Sequence, residues 1–93
     1  MNLLYEIESL RYLNEEQEIW DKIDQIEMNL NPKDLMKAID YFISHLSPEH
    51  NLSGKTYETL CGIGNWDREN NHLTHKQIIF AVMSMADNWN QLI

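Results

Sequence analysis

At 93 residues the chain has the length of one domain, able to bury a core without metal or disulfide staples but too short for a core plus a roomy catalytic cleft. Hydrophobic residues make up 43% and charged residues 24%, which disfavours intrinsic disorder, and a net charge of −8 repels nucleic-acid phosphates over a Debye length of roughly 8 Å. The lone Cys61 excludes an internal disulfide, and no apolar run approaches the roughly 18 residues of a membrane span. With no basic stretch at the N-terminus to read as a secretory signal, the expectation is a soluble cytoplasmic protein.

The spacing predicts a single all-α domain over residues 1–93, a compact bundle of about five short helices. Leu3, Ile7 and Leu10 mark the first, from about Leu3 to Leu13. Asn14-x-x-Gln17 has the form of a capping box, and Ile19, Ile23, Ile26 and Leu30 then recur at four, three, four along a second helix that reaches about Leu30. Asn31-Pro32 is a cap followed by proline at the first helical position, and opens a third helix with the stripe Leu35, Ile39, Phe42, Leu46. Ser47-Pro48 ends it, because the residue before proline is pushed out of the α region.

Residues 47–52 read as a turn, after which Ser53 or Gly54 starts a short fourth helix with Tyr57, Leu60 and Cys61. Gly62 and Gly64 weaken its end, Gly64-Asn65 has the form of a left-handed C-cap, and Trp66 to Asn71 reads as loop. Thr74-x-x-Gln77 is a second capping box, with Leu73 placed to staple onto Ile78. The last helix carries the stripe Ile78, Val82, Met85, Trp89, Leu92 and is apolar on nearly all sides, the pattern of a helix central to its bundle or shared with another chain.

No motif points to catalysis, so the chain is expected not to be an enzyme. Ser53-Gly54-Lys55-Thr56 resembles the tail of a phosphate-binding loop, but Glu49 stands where the first glycine belongs and no strand precedes it. His45, His50, His72, His75 and Cys61 lack the paired spacing of a zinc site, and Cys61 shares its helix side with Tyr57 and Leu60, the setting of a small packed thiol. No metal or cofactor is expected.

The charge is concentrated. The first 27 residues hold eight acids against two bases, a local charge of −6. On the second helix Glu15, Glu18, Asp21, Asp24 and Glu27 follow every third residue, so the carboxylates wind around it as a spiral. Glu15 and Glu18 suit the positive end of the helix dipole, and Glu18 can pair with Lys22 at i+4. Asp24 and Glu27 lie toward the negative end, where a carboxylate is unfavourable, so they either answer a demand from outside the helix or belong to a merely solvated face.

Trp20 is rotated off the isoleucine stripe onto a sector shared with Glu16, Asp24 and Glu27. It either anchors an interface inside a charged rim or packs under the first helix. The candidate contact set is therefore Glu16, Trp20, Asp21, Asp24 and Glu27. Phe80, near Met83, Lys76 and Asp87 and roughly opposite the Ile78 stripe, is a possible second interface: it meets either another helix of the bundle or a second copy of the chain.

The stretch from Tyr57 to Trp89, centred on Leu73-Thr74-His75-Lys76-Gln77, resembles a helix, loop, helix segment of assorted phage and mobile-element proteins of DNA metabolism. The resemblance covers about a third of the chain and implies a setting rather than an activity. Together these readings lead to the expectation of a small acidic inhibitor that occludes a basic surface on a protein partner, such as a nuclease or another nucleic-acid-binding protein. Phage anti-defence proteins (anti-CRISPR and anti-restriction) and toxin-immunity proteins act in this way. With so few and scattered bases, no direct contact with nucleic acid is expected, nor any with membrane. The alternatives are a homodimeric structural or regulatory helical module and an accessory protein of phage nucleic-acid metabolism.

Overall fold

Five stretches with apolar residues at helical spacing fold as α-helices in the computed structural model, which describes residues 2–70 and 73–93, and the side chains of all these but 66–70. In chain order they are α1 (Leu3–Leu10), α2 (Glu16–Met28), α3 (Pro32–Ser44), α4 (Gly54–Asn70) and α5 (His75–Asp87), followed by a 3-10 turn over Trp89–Gln91. Among the described residues the protein is an all-α bundle of five helices.

Short polar side chains start four of the five helices. Asn2 Oδ1 accepts from the Tyr5 amide at 3.3 Å, Asn31 Oδ1 from the Lys33 amide at 2.9 Å, and Ser53 Oγ from the Thr56 amide at 3.1 Å. At α5 the expected box closes both ways, with the Gln77 amide donating to Thr74 Oγ1 at 3.2 Å and the Thr74 amide to Gln77 Oε1 at 2.9 Å. Each such cap stabilises its helix by about 1 kcal/mol.

The start of α2 differs from expectation. Glu15, not Asn14, occupies the cap position and makes no side-chain cap bond. The Asn14–Gln17 box is not formed, because the Gln17 amide group donates instead to Asp21 Oδ1 at 2.9 Å, one turn further on. Three boundaries are also shorter than the apolar stripes suggest. α1 stops at Leu10, where tighter bonds from Arg11 to Glu8 (3.1 Å) and from Tyr12 to Ser9 (3.2 Å) turn the chain. α2 stops at Met28, and the Asn29 side chain donates to the Gln25 carbonyl at 3.0 Å. α3 stops at Ser44, ahead of Ser47-Pro48, with His45 folded back so that its Nδ1 donates to the Tyr41 carbonyl at 2.8 Å.

The largest correction concerns α4. It passes through Gly62 and Gly64 and continues to Asn70, so residues 66–70 are helix rather than loop; Asn71 lies outside the described residues. Neither glycine is used as a left-handed cap. Gly64 is buried, and a Cβ built on it would rest 3.7 Å from Ile39 Cγ2 on α3. The α3–α4 contact is the most extensive between any two helices, with Leu60 and Ile63 buried beside it. That packing outweighs the roughly 1 kcal/mol by which each glycine disfavours a helix.

The core is drawn from all five helices. Leu3, Ile7 and Leu10 of α1 meet Ile23 and Ile26 of α2, the Leu35, Ile39 and Phe42 stripe of α3, Leu60 and Ile63 of α4, and Ala81, Val82 and Met85 of α5. Burying each large side chain stabilises the fold by about 1.5–3 kcal/mol. α5 packs on each of the other four helices, which accounts for its nearly uniform apolarity.

The chain end is also tied in. α5 stops at Asp87 instead of carrying its stripe to Leu92, and the 3-10 turn redirects residues 91–93 along the α3–α4 connection. The Ser47 amide donates to the Gln91 carbonyl at 2.7 Å and the Ile93 amide to the His45 carbonyl at 2.8 Å, around an isolated antiparallel bridge between Leu46 and Leu92. The Asn51 amide adds a bond to Gln91 Oε1 at 3.1 Å.

Candidate functional site

The isoleucine stripe orients α2. Ile23 and Ile26 are buried in the core, so the rest of the helix circumference points sideways or outward. Its two flanks are identified by their polar contacts with neighbouring helices. Lys22 reaches Glu6 on α1. On the other flank the Glu27 carboxylate holds Nδ1 of His75, the first residue of α5, at 2.6 and 2.7 Å from its two oxygens.

Trp20, Asp24 and Glu27 follow at i, i+4 and i+7, within about 60° of one another, so Trp20 lies on the α5 flank and not beneath α1. It is 42% exposed. Glu16, Asp21 and Asp24 are exposed, and the five predicted contact residues together span a sector of about 140°. No lysine or arginine of α2 falls in it.

The five carboxylate and indole positions are not equivalent. Asp21 is held by Gln17, and Glu27 is only partly exposed and engaged with His75. The demand on Glu27 from outside its helix thus has a source within the fold: besides the imidazole, it sits at the start of α5, where the unpaired amides of a helix end favour negative charge. Asp24 makes no ion pair among the described residues. Lys22, expected beside Glu18, turns to α1 instead.

Met28 was missed by the sequence reading. It is 85% exposed, eight residues beyond Trp20 and four beyond Asp24, in the same sector. The signal was present, since Met28 falls off the isoleucine stripe. An unbranched, polarisable side chain that adapts to irregular surfaces is a common contact residue.

The remaining motifs resolve into structural roles. Ser53 and Thr56 of the Ser-Gly-Lys-Thr run bond to each other as the α4 cap, with 2.8 Å between their hydroxyl oxygens. His45 stacks on Tyr41 with ring centroids 4.0 Å apart, and His50 stacks parallel to Tyr57 at 6.3 Å, its buried Nδ1 without a hydrogen-bond partner among the described residues. His72 lies outside the described residues. Cys61 is a free, partly buried thiol. Among the described residues no three His, Cys, Asp or Glu side chains gather as a metal site.

At the second predicted interface Phe80 is 37% exposed, Asp87 is exposed, and Met83 is partly buried against the core. Phe80 borders an open groove of about 510 Å³ between α4 and α5, lined by Thr59, Gly62, Ile63, Lys76 and Gln77.

Comparison with protein families, curated proteins and solved structures finds no match for this chain. The functional reading therefore rests on the surface itself. No helix among the described residues is long and apolar enough to cross a membrane.

Proposed function

We propose that this protein is a small acidic inhibitor that docks the outer face of α2 on a basic surface of a partner protein and occludes it. The observation that carries the reading is Trp20: an indole 42% exposed, on a helix flank whose charged side chains are all carboxylates. Leaving so large an apolar ring in water is unfavourable, and a partner that covers it recovers that burial. Glu16, Asp21, Asp24 and Glu27 form the charged rim, and Met28 extends the apolar contact.

The partner is a nuclease or another nucleic-acid-binding protein, whose phosphate-binding channel offers the complementary charge. Phage-encoded inhibitors of host defence, anti-CRISPR and anti-restriction proteins among them, and toxin-immunity proteins belong to this functional type. The resemblance of Tyr57 to Trp89 to segments of phage and mobile-element proteins supports such a setting, and the free Cys61 suits a reducing cytoplasm. Inhibition by binding requires no catalytic group, cofactor or direct contact with nucleic acid.

The test is parallel affinity capture from the native host with wild type and with the triple variant E16Q/D21N/D24N. A basic protein retained by the first and lost by the second identifies the target. Its association rate with the wild type should fall steeply with added salt while dissociation changes less. A triple variant that captures and inhibits as well as wild type overturns the reading, as does a salt-independent association rate.

A further inference from the structure

On α5 the residues Lys76, Phe80, Met83 and Asp87 follow at i, i+4, i+7 and i+11. They fall within about 60° of one another, on the side of the helix facing away from the buried Ala81, Val82 and Met85, with Met83 itself partly buried against the core. The stripe is about 16 Å long, with a cation at one end, a carboxylate at the other and two apolar side chains between. Lys76, Phe80 and Asp87 are exposed, and neither Lys76 nor Asp87 makes an ion pair among the described residues. Both charges also oppose the helix dipole, the lysine at the positive N-terminal end and the aspartate at the negative C-terminal end.

We propose that this stripe is a homodimerisation seam, occupied by α5 of a second copy running antiparallel. The sequence of the stripe makes it self-complementary. A two-fold axis passing between residues 81 and 82 places Lys76 opposite the partner's Asp87 and Phe80 opposite the partner's Met83, and repeats both pairs on the other side. The same pairing removes the dipole conflict at both ends, because each N-terminus receives the partner's carboxylate and each C-terminus the partner's ammonium group.

Two further observations favour a second copy as the occupant. First, two molecules of charge −8 repel, so they can meet only where charge is balanced. Residues 54–87 carry four acids and three bases, whereas residues 1–27 carry −6. Second, the groove beside Phe80 has room: a Cβ built on Gly62 would find nothing within 4 Å, so a side chain from the partner can enter there. The seam is distinct from the α2 face and does not depend on the function proposed for it. A dimer built this way carries two acidic arms.

The deciding measurement is sedimentation velocity over a concentration series up to the millimolar range. Wild type should show a reversible monomer–dimer equilibrium. Lys76→Glu replaces two attractive pairs by two repulsive ones and should raise the dimer dissociation constant about thirtyfold, as should Asp87→Lys. Mixing those two variants should restore a dimer, since the glutamate of one then faces the lysine of the other. The charges are exposed, so neither change threatens the fold. A wild type that stays monomeric overturns the proposal and leaves the stripe for a different chain or for none. Single variants that dimerise as wild type does, or a mixture that fails to pair, overturn it equally.

Discussion

Replacing Gly64 by alanine distinguishes the observed path of α4 from the one its glycines suggest. Had the helix ended there on a left-handed residue, alanine would destabilise the protein by about 1–2 kcal/mol. In the observed fold Gly64 is mid-helix, and the new methyl group would meet Ile39 Cγ2 at 3.7 Å, an ordinary contact. The dominant effect is then the lost conformational freedom of the unfolded chain, and Gly64→Ala should stabilise by about 0.5–1 kcal/mol. For a domain of this size that raises Tm by roughly 2–8 °C. Gly62→Ala serves as the control, since its Cβ would find nothing within 4 Å and the change reports helix propensity alone. Urea and thermal unfolding followed by circular dichroism give both values. Destabilisation of both variants by more than about 1 kcal/mol would refute a continuous α4.

Three other outcomes are expected. Glu27→Gln and His75→Ala should each cost about 0.5–1 kcal/mol, and the double variant little more than either alone, because they remove one shared contact between α2 and α5; urea denaturation of the four proteins measures the coupling. Leu92→Ala should cost about 1–2 kcal/mol and speed hydrogen exchange at the Ser47 amide, whose acceptor is the adjacent Gln91 carbonyl; unchanged exchange would mean that the chain end does not hold the α3–α4 connection. Trp20→Ala should leave stability within about 1 kcal/mol of wild type while abolishing capture of the basic target. Loss of both together would place the indole in the fold and not at an interface.

Helix count, class and most helix starts were legible in the residues, because those features are local. A capping side chain bonds to amides two or three positions away, and an amphipathic stripe repeats every turn, so Asn31, Ser53, Thr74 and the Leu35–Ile39–Phe42 stripe carry their own structural instructions. The outward sector of α2 was legible only in part: the isoleucine stripe placed Asp24 off the core, but it left Trp20 between two settings and Met28 unremarked until Ile23 and Ile26 were seen buried.

Only the tertiary structure decided the rest, since it depends on what lies across from a residue. Glycines at 62 and 64 argue for a helix end until α3 packs against α4 and supplies the burial that keeps the helix intact. Nothing near Glu27 in the chain announces His75, 48 positions away, and nothing in the apolar run from Ile78 to Leu92 reveals that its last residues leave the helix to bond with Ser47 and His45. Local hydrogen bonds and periodicity act over one or two turns, whereas these partners meet only after the bundle has closed.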